Sequence, residues 1–315
     1  MAKRTAFILP AIVMLLLLIA VQIEQVSARD VRLKPADLLK EHLASLGRPE
    51  TVKSIQNRSI TGAALVQFVQ GGTGRMAGQA TVVSANRNLG IGMTFSSLDY
   101  PGEYFAFDGK EVTAGNIRPG QRSPIADFLY RYNVLVREGL VGGALSLGWS
   151  LLHVDDNRPN LRYNGEKQIE GRVLHELEYR PRRGASNMTI HLYFDPETYR
   201  HVRTVYRIRV RGEMGLQADA AVRVTGLPDI GDLGGGGGTR AGSIHDAIPD
   251  SIYVLTEKFE NFNEVEGLTL PHTYIMEYSV EGQGSAFLAN WTIIADQWIH
   301  NNTIDSSLFR APDYR

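Results

Sequence analysis

The stretch VRTVYRIRVR, from Val202 to Arg211, decides the fold class of this chain. Its even-numbered positions carry Val, Thr, Tyr, Ile and Val, whereas the odd-numbered positions are mostly arginine. Successive side chains of a β-strand point to opposite faces of the sheet. The alternation therefore predicts a half-buried antiparallel strand with one apolar face and one cationic face.

The same period of two recurs along most of the chain. It predicts strands over Ile60–Val69, Arg75–Ala85, Asn88–Phe95, Tyr104–Val112, Val173–Tyr179, Ile190–Phe194, Tyr274–Val280 and Phe287–Ile293. Turn sequences lie at Gly71-Gly72, Asp108-Gly109, Asn164-Gly165 and Asp195-Pro196. Such short spacings indicate hairpins and meanders rather than βαβ crossovers, so we predict a mainly β (α+β) domain.

Two helices are predicted. Residues 34–47 place four leucines and a histidine on one face. The second helix begins with Ser123 as N-cap and Pro124 at the first helical position, and its apolar residues recur at helical spacing up to Gly139. The next segment, Gly139–Leu152, is apolar and glycine-rich, and its sequence fits either a buried helix or a lid-like loop.

The number of strands limits how the sheet can be covered. About ten strands spaced ~4.8 Å apart form a sheet roughly 50 Å wide, whereas one helix covers a stripe of only ~10 Å. Two or three helices are too few for a flat sheet of that width. The sheet must curl around them, close into a barrel or fold into a sandwich. Curling or closing leaves a hollow suited to an apolar ligand, and a sandwich buries the same faces without one.

The first 28 residues have the layout of a secretory signal peptide. Lys3 and Arg4 precede an apolar run, and Val26-Ser27-Ala28 suits a signal peptidase. An uncleaved anchor is the alternative, although the run Phe7–Ile23 is interrupted and shorter than the ~20 residues of a spanning helix. Cleavage would leave a single domain, 29–315, exported to the periplasm.

Composition excludes several kinds of chemistry. There is no cysteine, hence no disulfide, no thiolate metal site, no cysteine nucleophile and no thiol for lipid attachment. A net charge of −1 gives no reason to expect a nucleic-acid partner. The glycine-rich loop 226–248 lacks the Lys-Ser or Lys-Thr of a phosphate-binding loop, and there is no Gly-x-Ser-x-Gly elbow. We therefore expect no enzyme, no catalytic residue and no cofactor.

Two further sets of polar residues have competing interpretations. His175 and His191 could meet on neighbouring strands near Glu176 or Glu178, but strand parity favours an exposed His191 over a metal ligand, so we expect no metal site. Arginines at 180–183 and 203–211 form a cationic outer face. We favour a solvated face balanced by glutamates; the alternative is docking to an anionic membrane or an acidic partner.

Several segments resemble the LolA-like superfamily of periplasmic lipid-binding proteins, which includes outer-membrane lipoprotein-sorting, LppX-type and RseB-type proteins. The segments are Leu38–Gly47 with Ile55–Val66, Gly171–Leu177 with Ile190–Asp195, Val265–Pro271, and Ile304–Pro312. The resemblance implies a large curved antiparallel sheet, a half-barrel, wrapped over two to three helices, with a concave face that shelters acyl chains. The loop 226–248 looks like an insertion, and no residue is assigned to the arginine that latches the lid of some carriers.

We therefore expect a monomeric, non-enzymatic carrier that binds lipid or lipoprotein acyl chains and shuttles them toward the outer membrane, with a membrane-associated donor or acceptor protein as a further partner. The alternative is an RseB-like sensor whose contact with a membrane partner responds to lipid or lipoprotein. Trp149 is a candidate lid residue. The other candidate ligand-binding residues, each of which fits ordinary core equally well, are Phe68, Phe105, Phe107, Phe128, Tyr132, Tyr206, Ile208, Met276, Tyr278 and Trp291.

Overall fold

The computed structural model describes residues 33–72, 74–183, 187–210, 251–281 and 286–312. The elements below belong to one compact unit, Pro35–Arg315. The predicted signal peptide, Arg211 and the glycine-rich loop 226–248 lie outside the described residues.

Twelve strands form one antiparallel sheet in the order β5-β4-β3-β2-β1-β12-β11-β10-β9-β8-β7-β6. Each strand pairs with its sequence neighbour except at the centre, where β1 pairs with β12. The strands are β1 (Asn57–Gln70), β2 (Gly74–Ala85), β3 (Asn88–Phe95), β4 (Gly102–Phe107), β5 (Val112–Ala114), β6 (Asn160–Ile169), β7 (Arg172–Arg180), β8 (Met188–Phe194), β9 (His201–Val210), β10 (Ser251–Val265), β11 (Leu268–Glu281) and β12 (Phe287–His300). The sheet is open rather than closed into a barrel, which confirms the predicted mainly β half-barrel.

Short helices accompany the sheet. They are α1 (Pro35–Leu46), α2 (Pro49–Ser54), α3 (Pro124–Arg131), α4 (Val134–Arg137) and α5 (Val154–Asn157), with 3₁₀ turns at Gly143–Leu145 and Ser306–Phe309. In α3 the hydroxyl of Ser123 accepts a hydrogen bond from the backbone N–H of Ala126, which confirms the predicted N-cap. No helix among the described residues is long and apolar enough to span a bilayer.

One face of the sheet, which we call the inner face, carries the core. In β9 it bears Tyr206 and Ile208, both fully buried, whereas Arg207 and Arg209 point to the outer face and are exposed. Three segments cover the inner face: α1, α3 and the stretch between α4 and α5. The ring of Phe128 in α3 lies 5.0 Å from that of Tyr278, and the ring of His42 in α1 lies 5.0 Å from that of Phe194.

Several local predictions were wrong. The Asn164-Gly165 turn is a bulge within β6, where the pairing with β7 shifts between Tyr163 and Glu166. Gly165 has a φ of 83°, a left-handed conformation that glycine adopts without strain.

Two predicted elements are also interrupted. The strand 104–112 is divided by the turn after Phe107 into β4 and β5. The second helix breaks at Tyr132, whose φ of −100° and ψ of 44° are not helical, before α4 begins. β6 and β10 were not predicted as strands.

Candidate functional site

Most of the predicted ligand-binding residues are packed into the core. Phe68 and Tyr132 are half-buried, and the others are no more than 6 % exposed: Phe105, Phe107, Phe128, Trp149, Tyr206, Ile208, Met276, Tyr278 and Trp291. Some of them are in ring contact: Phe68 lies 6.4 Å from Trp291, and Phe128 lies 5.2 Å from Tyr132 and 5.0 Å from Tyr278. A ligand-binding role for any of them remains a prediction.

The segment Gly139–Leu152, which we call the plug, is an irregular loop buried almost throughout. The sequence fits either a buried helix or a lid-like loop. In the structure the segment is a loop, apart from one 3₁₀ turn. Gly139, Gly142 and Gly143 all have positive φ, which prevents a continuous right-handed helix. Only glycine fits at position 139, because a Cβ there would lie 1.9 Å from the carbonyl oxygen of Gly148.

A buried arginine on β1 holds one side of the plug. Arg58 is 2 % exposed, and its Nη1 donates to the carbonyls of Ala144, at 2.7 Å, and Leu145, at 3.3 Å. Its Nε donates to Nε2 of His300 at 3.0 Å. No carboxylate in the described part of the chain forms an ion pair with it, and burial lowers the pKa of the guanidinium to about 10.

A buried glutamate on β10 holds the other side. Glu257 is fully buried and accepts hydrogen bonds from the backbone N–H of Gly142, at 2.8 Å, from the hydroxyl of Tyr206, at 2.6 Å, and from that of Tyr274. The Tyr206 hydroxyl also lies 3.0 Å from the carbonyl oxygen of Leu140. Burial raises the pKa of Glu257, and these three donors act in the opposite direction.

Sequence reasoning missed both charged residues, although a signal existed for each. Arg58 has the parity of Ile60 and Val66, so it is an arginine on the apolar face of β1. Glu257 lies between Leu255 and Phe259 on the buried face of β10. A charged residue in register with core residues is expensive to bury unless it has a specific partner.

A second buried carboxyl ties α3 to the sheet. Glu103 in β4 accepts a hydrogen bond from the hydroxyl of Ser123 at 2.8 Å and contacts the hydroxyl of Tyr100. Nε1 of Trp291 donates to that tyrosine at 2.6 Å. Burial raises the pKa of Glu103 to about 7.

The predicted lid residue Trp149 lies in the plug among aromatic rings. Its ring is 4.9 Å from that of His42 and 5.1 Å from that of His201. Burial lowers the pKa of His42 to about 4 and that of His201 well below its usual range, so both imidazoles are neutral at pH 7. The structure therefore attaches Trp149 to α1 and the sheet; its role as a lid remains a prediction.

The two histidines considered as a metal pair occupy opposite faces of the sheet. His175 pairs with Phe194, while His191 pairs with Glu178, which has the opposite parity in β7. His191 is half-buried rather than exposed, and its Nδ1 lies 3.2 Å from Oε1 of Glu176. Among the residues that the structure describes, no cluster of three His, Asp or Glu could hold a metal ion.

The cationic outer face is only partly balanced by glutamates. Arg203 pairs with Glu170 at 2.7 Å and Arg180 with Glu178 at 2.6 Å, as the solvated interpretation expects. Arg207 and Arg209 are exposed, and neither has an ion pair in the described part of β7 to β10.

Comparison with known proteins gives only structural matches. No family model and no curated protein matches the sequence. The fold is similar to that of a LolA superfamily protein from Nitrosomonas europaea, with 11% identity over 87% of this chain and 97% of that one and a TM-score of 0.42. It is also similar to a protein from Vibrio parahaemolyticus described as an outer membrane lipoprotein-sorting protein domain, with 9% identity over 87% and 94% of the two chains and a TM-score of 0.41. A further match is to a chain in the structure of the Pseudomonas aeruginosa MucA/MucB complex. It has 10% identity over 82% of this chain and 92% of that chain and a TM-score of 0.21. The LolA superfamily, which the sequence resembles, is represented among the solved structures to which this chain is similar.

Proposed function

We propose that this chain is a non-enzymatic periplasmic protein that shelters acyl chains of a lipid or lipoprotein against the inner face of its sheet. In this proposal the plug occupies the acyl site while no ligand is bound, and it moves aside when one enters. The observation that carries the proposal is the nature of the plug: an irregular, glycine-containing loop, rather than a regular element, covers an apolar sheet face and is anchored to it by a few polar contacts.

The magnitudes of the competing interactions support an exchange of plug for ligand. Removing the plug re-exposes five apolar side chains at ~2 kcal/mol each, roughly 10 kcal/mol in total. A dozen acyl methylenes buried at ~0.8 kcal/mol each return about the same amount. The five side chains, all no more than 2 % exposed, are Leu140, Val141, Leu145, Trp149 and Leu151.

The near balance matters for a carrier. A site with no competing occupant would retain an acyl chain too strongly for release into a membrane or to a partner protein. An internal segment that re-covers the same surface lowers the net affinity without making the site less apolar, and it protects the empty protein from exposing that surface to water.

The first test is the content of the purified protein. We expect native mass spectrometry of protein taken from a periplasm without detergent to show bound lipid in a fraction of the molecules. Addition of lysophosphatidylglycerol should shift the tryptophan emission to longer wavelength, because displacement of the plug exposes Trp149.

The control is Trp149→Phe, which retains Trp291 and Trp298 and should lose most of that shift. Lipid-free protein whose emission does not respond to added lipid would refute the acyl site. If lipid binds, transfer of a fluorescent lipid between vesicles distinguishes a carrier from an RseB-like sensor, which binds lipid without moving it.

A further inference from the structure

Four of the seven exposed large apolar side chains among the described residues lie at one end of the sheet, whereas Val173 and Ile299 lie at the other end and Ile294 lies within β12. Because the strands alternate in direction, β1, β3, β7, β9 and β11 all finish at this end, which we call the rim. Leu98, in the connection from β3 to β4, is 99 % exposed, and Val69 near the end of β1 is 51 % exposed. Val210 at the end of β9 and Tyr130 of α3 are also exposed. Single exposed apolar residues are ordinary, so these four matter only in combination with the charges beside them.

The described residues at this end carry an excess of positive charge. Five exposed arginines lie in or beside the strand ends there, and within the described residues none of them has an ion pair: Arg75, Arg182, Arg183, Arg207 and Arg209. The carboxylates of Asp99 and Asp127 are already paired with Arg118 and Arg131. Glu281 is exposed at the rim, and exposed Asp155 and Asp156 lie just before β6, which begins at this end. The sequence that connects β9 to β10, 211–250, contains six Asp or Glu and three Arg.

The opposite end has no comparable excess. Its connections contain ion pairs such as Arg172 with Asp195, and exposed Glu197 and Glu264 accompany its cations. Among the described residues the charge asymmetry therefore runs along the strands, with the more positive end at the rim.

An anionic bilayer fits this combination better than an acidic protein does. Arginine forks bind phosphate groups bidentately, and an exposed leucine gains by entering the acyl region just below the phosphates. Tyrosine and arginine are favoured at the level of the headgroups, where Tyr130 would lie with the guanidinium of Arg122 over its ring at 3.8 Å.

We propose that the rim is a docking surface for membranes that contain anionic phospholipid, with the arginines on headgroup phosphates and Leu98 inserted between lipids. Docking does not require that the protein carry acyl chains. Vesicle binding and lipid co-purification can therefore succeed or fail separately.

The test is co-sedimentation of the full exported protein with phosphatidylcholine vesicles, with and without phosphatidylglycerol. The wild type should bind only the vesicles that contain phosphatidylglycerol, and added NaCl should weaken the binding. Each arginine contributes about fivefold to the affinity, so the triple variant Arg75→Gln, Arg207→Gln, Arg209→Gln should bind roughly 100-fold more weakly. Leu98→Ser should cost about tenfold.

The controls change the same number of charges at the opposite end. The triple variant Arg48→Gln, Lys53→Gln, Lys167→Gln removes three exposed cations there, and Val173→Ser removes an apolar side chain that is 44 % exposed. Both should bind almost as well as the wild type. Equal losses for the two triple variants, binding without phosphatidylglycerol, or binding to acidic proteins but not to vesicles would each overturn the proposal.

Discussion

Replacing Arg58 with methionine should loosen the plug without unfolding the protein. The long apolar side chain of methionine keeps much of the packing of arginine but removes the guanidinium that binds the carbonyls of Ala144 and Leu145. Two opposing free energies decide the outcome: the hydrogen bonds that are lost and the burial cost of the charge that is relieved.

The burial cost can be estimated from the pKa. Lowering the pKa of Arg58 from its ordinary value to about 10 corresponds to about 3 kcal/mol against the charged form in the folded state. This penalty applies in full at every pH below about 10 and is relieved only as the pH rises toward the unfolded value, so it creates no pH dependence near neutrality. Hydrogen bonds from a charged donor contribute ~1.5–3 kcal/mol each. Arg58 donates three such hydrogen bonds, which at the lower end of this range contribute about 4.5 kcal/mol in total. The loss exceeds the relieved burial cost by about 1.5 kcal/mol, and global stability should fall by roughly that amount.

The plug itself should respond differently. In the wild type, local opening of the plug breaks the two hydrogen bonds to Arg58, whereas in the variant it has none of these to break. About 3 kcal/mol less protection gives roughly 100-fold faster amide exchange. The amide of Ser150, which donates to Gly139 at 2.9 Å, is a suitable probe within the plug.

The assay combines hydrogen exchange of plug peptides with urea unfolding of the whole protein. Arg58→Lys is the control, because it keeps the charge and loses the planar fork, and it should destabilise both the plug and the whole fold. Unchanged plug exchange in Arg58→Met, or a global loss above ~3 kcal/mol, would show that Arg58 supports the sheet as a whole and does not act on the plug.

Variants at three further positions, two of them with a matched control, are tested by urea unfolding. Glu257→Ala should cost about 3–5 kcal/mol, because the hydrogen-bond donors around Glu257 lose their acceptor. Glu257→Gln retains an acceptor and should cost much less. Similar losses for the two variants would mean that packing alone matters. Glu103 has a pKa raised from 4.5 to about 7. Its contribution to the free energy of unfolding is therefore complete below pH 4.5 and falls by about 3 kcal/mol as the pH rises to 7. His42, with a pKa lowered to about 4, has the opposite effect, since its contribution rises by a similar amount between pH 4 and 6.5. Glu103→Gln should therefore make stability rise more steeply between pH 4 and 7 than in the wild type, and parallel curves would contradict the assignment. Gly139→Ala should destabilise by several kcal/mol because its Cβ meets a backbone oxygen, whereas Gly165→Ala, with open space around the same left-handed conformation, should cost only about 1 kcal/mol.

The alternation of residues was sufficient to predict the architecture but not the site. Strands such as β9 and β3 have a clear period of two, and their ends were placed within a residue or two. At the β6 edge the residues are largely polar, so burial leaves little pattern to read. In β10 the alternation is interrupted by Glu257, a charged side chain on the buried face.

The residues that break the pattern are those that hold the plug. Arg58 and Glu257 are compensated by backbone groups of a loop distant in the sequence, and a period-based analysis cannot anticipate such partners. Trp149 could be assigned to the plug from its neighbours, but the neutral histidines around it depend on three separate elements meeting in space. Local contradictions in an otherwise regular strand are therefore the best sequence-level indication of this site.

The pairing of β1 with β12 at the centre of the sheet also has a consequence for folding. Arg58 and His300, which pair there, are 242 residues apart in the sequence. Contacts of such separation form late and slow the folding of a β-sheet protein. The central seam is absent until the last strand has left the ribosome, so a nascent chain can form only two separate meanders. Cooperative folding of the whole sheet must therefore wait for the complete chain.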